Sequence, residues 1–543
     1  MSKPKKLEGI VFKKDSETTR STTAFGKNVW SAAFKSVDDN LSKCAESEKN
    51  WRFGYAKYVR ENVRVSLQSP SNALTSAKQG IEAVYDGLEF IRDSQTFTLR
   101  EALEKFNNAN AFHTGIIQGK QGTTMQERGD GSFVVPYLGK SLRGETLKKQ
   151  ARAWSDYGTI EPSAADALCA ISEHKEWFSE KSLSSKVFVL LGAAAAMGPF
   201  QTLMDMGATV IALDIGFPGV WRRLISTARG SKGTLIFPLS KPQSECADDE
   251  ALINAAGCDL AKQTPEVSAW LCNTVPGDKQ PIIGSYVYLM GGLFVLVATA
   301  CDLIMDELCK SRKDTVIAFL CTPTDCHAVP KEAWEAAQRN YAGSWKNLVM
   351  KPFEFSPISS LRLRKNMQPP VQQASSSSGG EQQQLYWVNG LVLAQGPNYA
   401  TSKRLQHWRA MVARENGHIV SSNIAPSTAT RSVTQNKSFA WAYDGMPFFE
   451  PMEIFQPETS NAVMTALLFN DLFNEKSVAN PKNELANPLL LFSENAFHGG
   501  AWRIGYTFDS IGGVSVLLHF AKSLPVLLIG LLVIIFFFIR FFL

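Results

Sequence analysis

Several kinds of feature are scarce in this chain, and each scarcity excludes something. Histidine occurs only seven times in 543 residues. The one tight group of soft ligands, Cys321, Cys326 and His327, has no second ligand pair at zinc spacing, so no metal centre is expected. Nine cysteines, an odd number at irregular spacing, do not make a disulfide framework. They point to reduced thiols in a cytosol-facing chain. The net charge of +5 is spread out, apart from Lys3-Pro4-Lys5-Lys6. Without a basic stripe interleaved with aromatics, nucleic acid is not an expected partner. Residues 1–20 are polar and charged and carry no apolar leader segment. What remains is ordinary for a core-burying protein: 45% hydrophobic and 20% charged residues, with length for two or three domains.

Two runs lack charge. From Pro525 to Ile539 no strongly polar residue interrupts the chain, which ends Arg540-Phe541-Phe542-Leu543. Residues 524–543 therefore have the length of a bilayer span, about 30 Å of helix. The expectation is a C-terminal membrane anchor, with the bulk of the chain in the cytosol and the endoplasmic reticulum as the membrane. Residues 282–301 are also uncharged, but they contain Tyr286, Tyr288 and Gly291-Gly292 and run directly into Asp302. That pattern reads as a buried strand over 282–289, a Gly-Gly turn and a helix.

The remaining order alternates strand and helix. Strands are expected at 186–191, 207–214, 233–239, 282–289, 315–320 and 417–424, with helices between them. The fold class is therefore α/β, a doubly wound parallel sheet. A turn of small residues, Gly192-Ala193-Ala194-Ala195-Ala196-Met197-Gly198, follows the first strand. Such a turn lets a backbone approach a pyrophosphate. Asp214 ends the next strand, where an acid can bond both hydroxyls of an adenosine ribose. Farther on, Tyr399 and Lys403 stand four apart in Gly396-Pro397-Asn398-Tyr399-Ala400-Thr401-Ser402-Lys403. On a helix they share one face. The ammonium would lower the phenol's pKa and make the pair a proton donor or acceptor for carbonyl/alcohol interconversion. The run 404–414 after it reads as amphipathic.

Together these residues resemble the short-chain dehydrogenase/reductase family, a group of NAD(P)-binding Rossmann-like enzymes. The phrase around Tyr399 looks like the family's Tyr-x-x-x-Lys helix, and Ser402 matches as well. Asn423-Ile424-Ala425-Pro426 is similar to its following strand and cofactor loop, with Ser427 where the family has Gly. The turn at Gly192, Ala196, Met197 and Gly198 resembles its Gly-x-x-x-Gly-x-Gly. The resemblance implies Tyr399 as acid/base and Lys403 as the residue orienting the ribose. It puts Asp214 at the ribose, Asp259 on the adenine side and Pro426 in the cofactor loop. Thr322 would take the place of the family's catalytic Ser; counting back from Tyr399 instead places that residue at Tyr386. The family's Asn-Asn-Ala-Gly is replaced by Leu289-Met290-Gly291-Gly292. The cofactor would be NAD or NADP. Asp214 favours NAD by repelling a 2′-phosphate, whereas Arg222 and Arg223 could reverse that by pairing with it.

Domain organisation follows. Residues 1–180 lack the nucleotide pattern and read as a mainly helical extension, a cap on the sheet or a homodimerisation arm, with 6–23 mobile. Residues 181–520 form the nucleotide-type domain. An insertion at 330–384 includes a low-complexity linker, 369–384, expected to be disordered. Residues 431–520 are where the resemblance puts substrate specificity. His498 reads as a satisfied core or surface histidine. Two functions are open: an NAD(P)-dependent oxidoreductase acting on a lipophilic alcohol or ketone, anchored by the C-terminal helix, or a nucleotide-binding or purely structural scaffold at a membrane surface.

Overall fold

A computed structural model describes residues 7–15, 19–120, 132–343, 350–374 and 383–521. Its centre is a seven-stranded sheet: β1 His113–Gln118, β2 Lys186–Leu191, β3 Thr209–Leu213, β4 Thr234–Leu239, β5 Gln280–Ser285, β6 Val316–Cys321 and β7 Val420–Ile424. The spatial order is β7-β6-β5-β2-β3-β4-β1. The last six strands are parallel to one another. Counted among themselves they run 3-2-1-4-5-6, the order of doubly wound dinucleotide-binding sheets. The expectation of a wholly parallel sheet is corrected at one edge. There β1 lies antiparallel to β4, with His113 opposite Leu239 and Gln118 opposite Thr234. The sheet is mixed, and its edge strand comes from the region read as a helical extension.

The inner strands are apolar throughout because both faces are covered. In β2 every residue from Val187 to Leu191 is buried. Residues 282–301 resolve into the end of β5 and the start of the helix Gly291–Ser311. Three expectations about polar segments are corrected. Gly9–Phe12, inside the stretch read as mobile, is a buried strand paired with Leu88–Arg92. Within the stretch read as disordered linker, Val371–Gln373 pairs antiparallel with the strand Gln383–Asn389, while residues 375–382 lie outside the described residues. The hairpin of Leu88–Arg92 with Gln95–Phe97 had no place in the helical reading.

The expectation of a single C-terminal membrane span, and the location built on it, is also corrected. Among the described residues no helix is long and apolar enough to cross a membrane. Residues 524–543, on which the expectation stood, lie outside the described residues. The membrane anchor has no support and is set aside.

The long helix Gly396–Glu415 carries Tyr399 and Lys403, and it is not amphipathic. Every residue from Tyr399 to Ala413 is buried. It lies beneath the helices Trp51–Gln68, Pro70–Asp86 and Gly291–Ser311. Gly80 packs so closely on Trp408 that a Cβ there would come within 2.4 Å of the indole. Several of its polar side chains are paired instead of solvated, whereas both ring nitrogens of His407 are buried without a hydrogen-bond partner among the described residues. Arg409 Nε donates to Asp302 Oδ1 at 2.8 Å, and its Nη2 donates to Tyr85 Oη at 2.9 Å. Trp30 Nε1 donates to Thr401 Oγ1 at 3.0 Å. The N-terminal helices therefore form the roof of the site helix, and the buried hydrogen bonds of Trp30 and Tyr85 fix the register of the two.

Candidate active site

The site is built at the carboxyl ends of the parallel strands, where the chain order reverses between β2 and β5. Ligands of open α/β sheets bind in this kind of crevice. On its β2 side lies the glycine turn. Gly192 has φ +81°, and a Cβ there would stand 2.9 Å from Val287 Cγ1. Only glycine fits both the left-handed backbone and that approach to the loop after β5. Most of the turn's amides are engaged. Gly192 N–H donates to Leu213 O at 2.9 Å and Ala194 N–H to Asp214 Oδ2 at 2.8 Å. Gly198 N–H donates to Ala195 O at 3.0 Å. Among the described residues, none accepts the N–H of Ala196 or Met197.

Asp214 sits at the end of β3, as its spacing suggested, but both of its oxygens are occupied. Oδ2 takes the Ala194 N–H, and Oδ1 takes the Ile215 N–H at 2.8 Å. Burial pushes its carboxyl above the usual range, against those two hydrogen bonds and the nearby Arg223. Arg223 donates to the Ala194 carbonyl, over the turn. Arg222 points elsewhere, forked onto Glu250 at 3.1 and 2.7 Å. Asp259 lies on the segment beside Asp214, since Cys258 N–H donates to Asp214 O at 2.9 Å. Its own carboxylate accepts from Lys262, at 3.1 Å from the backbone N–H and 3.3 Å from Nζ, the arrangement of a solvated turn acid.

On the β6 side, residues distant in sequence come together. Thr322 follows the last residue of β6 and, with Thr324, lines the same crevice as Tyr399. Those two threonine oxygens are 2.7 Å apart. Lys403 Nζ donates to Leu320 O and to Gln406 Oε1, each at 3.1 Å. Tyr386 is not in the site; its hydroxyl donates to Gln384 Oε1 at 2.9 Å, on a separate small sheet. Tyr55, Thr322, Thr324, Asp325, Tyr399 and Lys403 share the lining of one crevice, with about 10 Å³ of room for the centre of a water molecule. That is about one water.

The electrostatics of the pair differ from the expectation. Burial raises the Tyr399 phenol well above the ordinary tyrosine value; the nearby Tyr288 and Asp325 add to this, and the neighbouring Thr322 and Thr324 hydroxyls oppose it. Lys403 does not lower it, because its protons are aimed at Leu320 and Gln406. Burial lowers the Lys403 ammonium in turn, and Cys321 and Asp325 oppose that shift. Tyr399 is 7% exposed, so in this form it is a neutral, shielded donor. Edge-on to its ring stands Tyr288, 5.9 Å between centroids. Tyr288 lies on the half-exposed loop after β5, which with the first turn of the helix Gly291–Ser311 also presents Met290 and Leu293 to solvent.

No protein-family model, curated protein or solved structure matches this chain. What the site can do therefore rests on its own geometry. Pro426, in the loop after β7, is backed by the Gly499-Gly500 turn; a Cβ on Gly499 would be 3.4 Å from Pro426 Cβ. That turn is pinned by His498, whose Nε2–H donates to the buried Glu161 at 2.8 Å. Cys321 stands 3.2 Å from Ser422 Oγ, and His327 Nε2–H donates to Thr322 O at 2.7 Å. Burial holds His327 neutral, its pKa down to about 4. Among the described residues no group of three potential metal ligands forms.

Sequence reasoning missed Thr324, Asp325, Arg404, Tyr55 and Tyr288. Arg404 Nη2 donates to Asp325 Oδ1 at 2.7 Å with both side chains buried. The signal was present only in part: Thr324 and Asp325 adjoin Thr322 in the turn after β6, and Arg404 adjoins Lys403.

Proposed function

We propose that this chain is an NAD(P)-dependent oxidoreductase of the short-chain dehydrogenase/reductase type, interconverting a carbonyl and an alcohol on a lipophilic substrate. One observation carries the reading: Tyr399, Lys403 and Thr322 line one crevice beyond the end of β6, in the same parallel sheet whose β2 ends in the Gly192 turn. The turn fits a dinucleotide in two respects. Small residues crowd it, and the N–H groups of Ala196 and Met197 have no partner among the described residues. A bound nicotinamide dinucleotide would supply the hydride. The chain's own part is proton handling and orientation. Tyr399 exchanges a proton with the substrate oxygen, and the Thr322 hydroxyl bonds that oxygen. Lys403, released from Leu320 O, holds the ribose. The choice between NAD(H), which Asp214 favours, and NADP(H) lies between Asp214 and Arg223, which sits over the same turn; Arg222 is already paired with Glu250.

The exposed apolar side chains of Tyr288, Met290 and Leu293, on the loop after β5 and the first turn of the next helix, support a lipophilic substrate. Solvent-exposed apolar side chains beside a polar reactive group suit a ligand with an apolar body and one oxygen. Because Tyr399 is shielded, substrate must displace Tyr288 to reach it.

A second reading, a nucleotide-binding scaffold without catalysis, is favoured by the same shielding and by Lys403's bonds to Leu320 and Gln406. Fluorescence titration with NADH and NADPH, followed by dinucleotide oxidation with decanal and cyclohexanone as probes, separates the two. Binding with turnover supports the enzyme and binding without turnover supports the scaffold. Absence of binding overturns both.

A further inference from the structure

Three of the chain's seven histidines meet in one buried cluster, each brought by a different element. His407 comes from the site helix, His327 from the strand Cys326–Val329, and His498 from the turn with Gly499 and Gly500. Between ring centres His327 is 5.5 Å from His407 and 5.8 Å from Trp502. Trp502 stacks on His498 at 4.8 Å, and Phe492 stacks on His407 at 4.4 Å. The rings are packed as neutral aromatic side chains, and the cluster has little to offer a charged one. Both nitrogens of His407 lack a partner among the described residues, and Asp325 Oδ2 lies 3.9 Å from Nδ1. Asp325 Oδ1 is already held by Arg404 Nη2 and by Cys326 N–H, each at 2.7 Å. In His498 the Nδ1 lone pair accepts the Gly500 N–H at 3.0 Å, so a proton added there would displace that bond.

We propose that His327, His407 and His498 form an acid-sensitive latch, closed while the rings are neutral, that holds the turn 498–502 against the strand Cys326–Val329 and the site helix. The proposal does not depend on the oxidoreductase reading above. His407 has Arg404 and Lys403 beside it on its own helix, Asp325 from the turn after β6, and His327 from the neighbouring strand. His327 faces Asp325, Arg404 and His498, and His498 faces Glu161 and Arg503. Burial disfavours the charged form of all three rings; the cations add to this, and the two carboxylates oppose it. A histidine whose folded value is depressed contributes stability above its ordinary 6.5 and loses it as the pH falls below. The turn is the part able to lift. It belongs to no helix or ladder, and Gly499 and Gly500 stand at φ +65° and +84°. Its fastenings include the His498 and Arg503 bonds to Glu161, Gly500 N–H to Thr159 O at 2.8 Å, and Asn366 Nδ2 to Trp502 O at 3.0 Å. Lifting Trp502 uncovers His327 directly and His407 behind it, so one opening exposes all three rings to protons.

Hydrogen–deuterium exchange of the full chain, read at the amides of 499–503 and corrected for the intrinsic pH dependence of exchange, gives the opening constant. Each ring that charges on opening should raise it about tenfold between about pH 7.5 and about pH 5.5, and three rings by up to about 10³. Glu161 takes no part in that window, because its ordinary value is 4.5. His407→Phe keeps the stack on Phe492, and His498→Gln keeps a donor for Glu161. Each should cut the pH-dependent rise about tenfold, and the two together about a hundredfold. The readout is the pH dependence and not the level of exchange, so a variant that merely loosens the turn leaves it unmoved. Where either variant fails to fold, His327→Gln, which keeps a donor for Thr322 O, takes its place. A rise of more than tenfold that the variants cut supports the latch. A wild-type rise of tenfold or less, or a larger one that the variants leave unchanged, overturns it.

Discussion

Acidification should weaken the support of the loop after β7 through one carboxylate. Glu161 is 1% exposed in its side chain and lies between Arg503 and His498. Arg503 forks onto it at 2.9 and 2.6 Å. Gly500 N–H donates to His498 Nδ1 at 3.0 Å, so the ring proton is on Nε2, which points at Glu161. Burial raises this carboxyl, but the bonds and charge of its two partners overcome that and hold it down at about 2, from an ordinary 4.5. A depressed folded pKa means stability that is present above the unfolded value and lost as pH falls toward the folded one. The shift is worth about 3 kcal/mol at neutral pH and about 2 kcal/mol near pH 3.5. His498, lowered chiefly by burial, acts in the same direction. Below its unfolded value the unfolded chain binds a proton that the folded chain resists. Urea unfolding of wild type and Glu161→Gln at pH 7 and pH 3.5 measures the difference. It should be about 3 kcal/mol at neutral pH and shrink by about 1 kcal/mol in acid. A difference that does not change with pH would refute the assignment of charge to Glu161.

Arg404→Met leaves the Asp325 carboxylate buried without its cation and should cost about 3–5 kcal/mol in urea unfolding; adding Asp325→Leu should recover most of it. Tyr288→Ala uncovers the Tyr399 phenol, so KM for a small ketone such as cyclohexanone should fall or hold while KM for decanal rises several-fold, read from steady-state kinetics.

The parallel core was legible because buried strands such as Lys186–Leu191 are continuous apolar runs, and because Gly192 punctuates the first of them. β1 was not legible. Its pattern, His-Thr-Gly-Ile-Ile-Gln, is half polar, and only pairing with β4 makes it a strand. Gly9–Phe12 is four residues whose place depends on a partner far along the chain. The proximity of Tyr399, Lys403 and Thr322 could be anticipated from helix spacing and from the end of a strand. The depth of burial could not. Local periodicity takes Arg404, His407 and Arg409 for a solvated face. The partners of the two arginines, Asp325 and Asp302, come from other elements, and the helices Trp51–Gln68 and Pro70–Asp86 pack over this face. The same burial overturns the expectation of a lowered tyrosine pKa, since desolvation outweighs an ammonium that points elsewhere. Asp214 and Asp259 illustrate a second limit. Spacing can bring a carboxylate to the right loop without saying whether a backbone N–H or a lysine already occupies it.

Tyr399→Phe tests the central claim most directly. It removes the hydroxyl and keeps the ring that packs against Phe294 and Tyr288. Turnover of a carbonyl probe, dinucleotide affinity and thermal midpoint are measured on the same preparation. The account predicts turnover down by about 10²–10⁴, with affinity and midpoint unchanged. Full activity in Tyr399→Phe would contradict it.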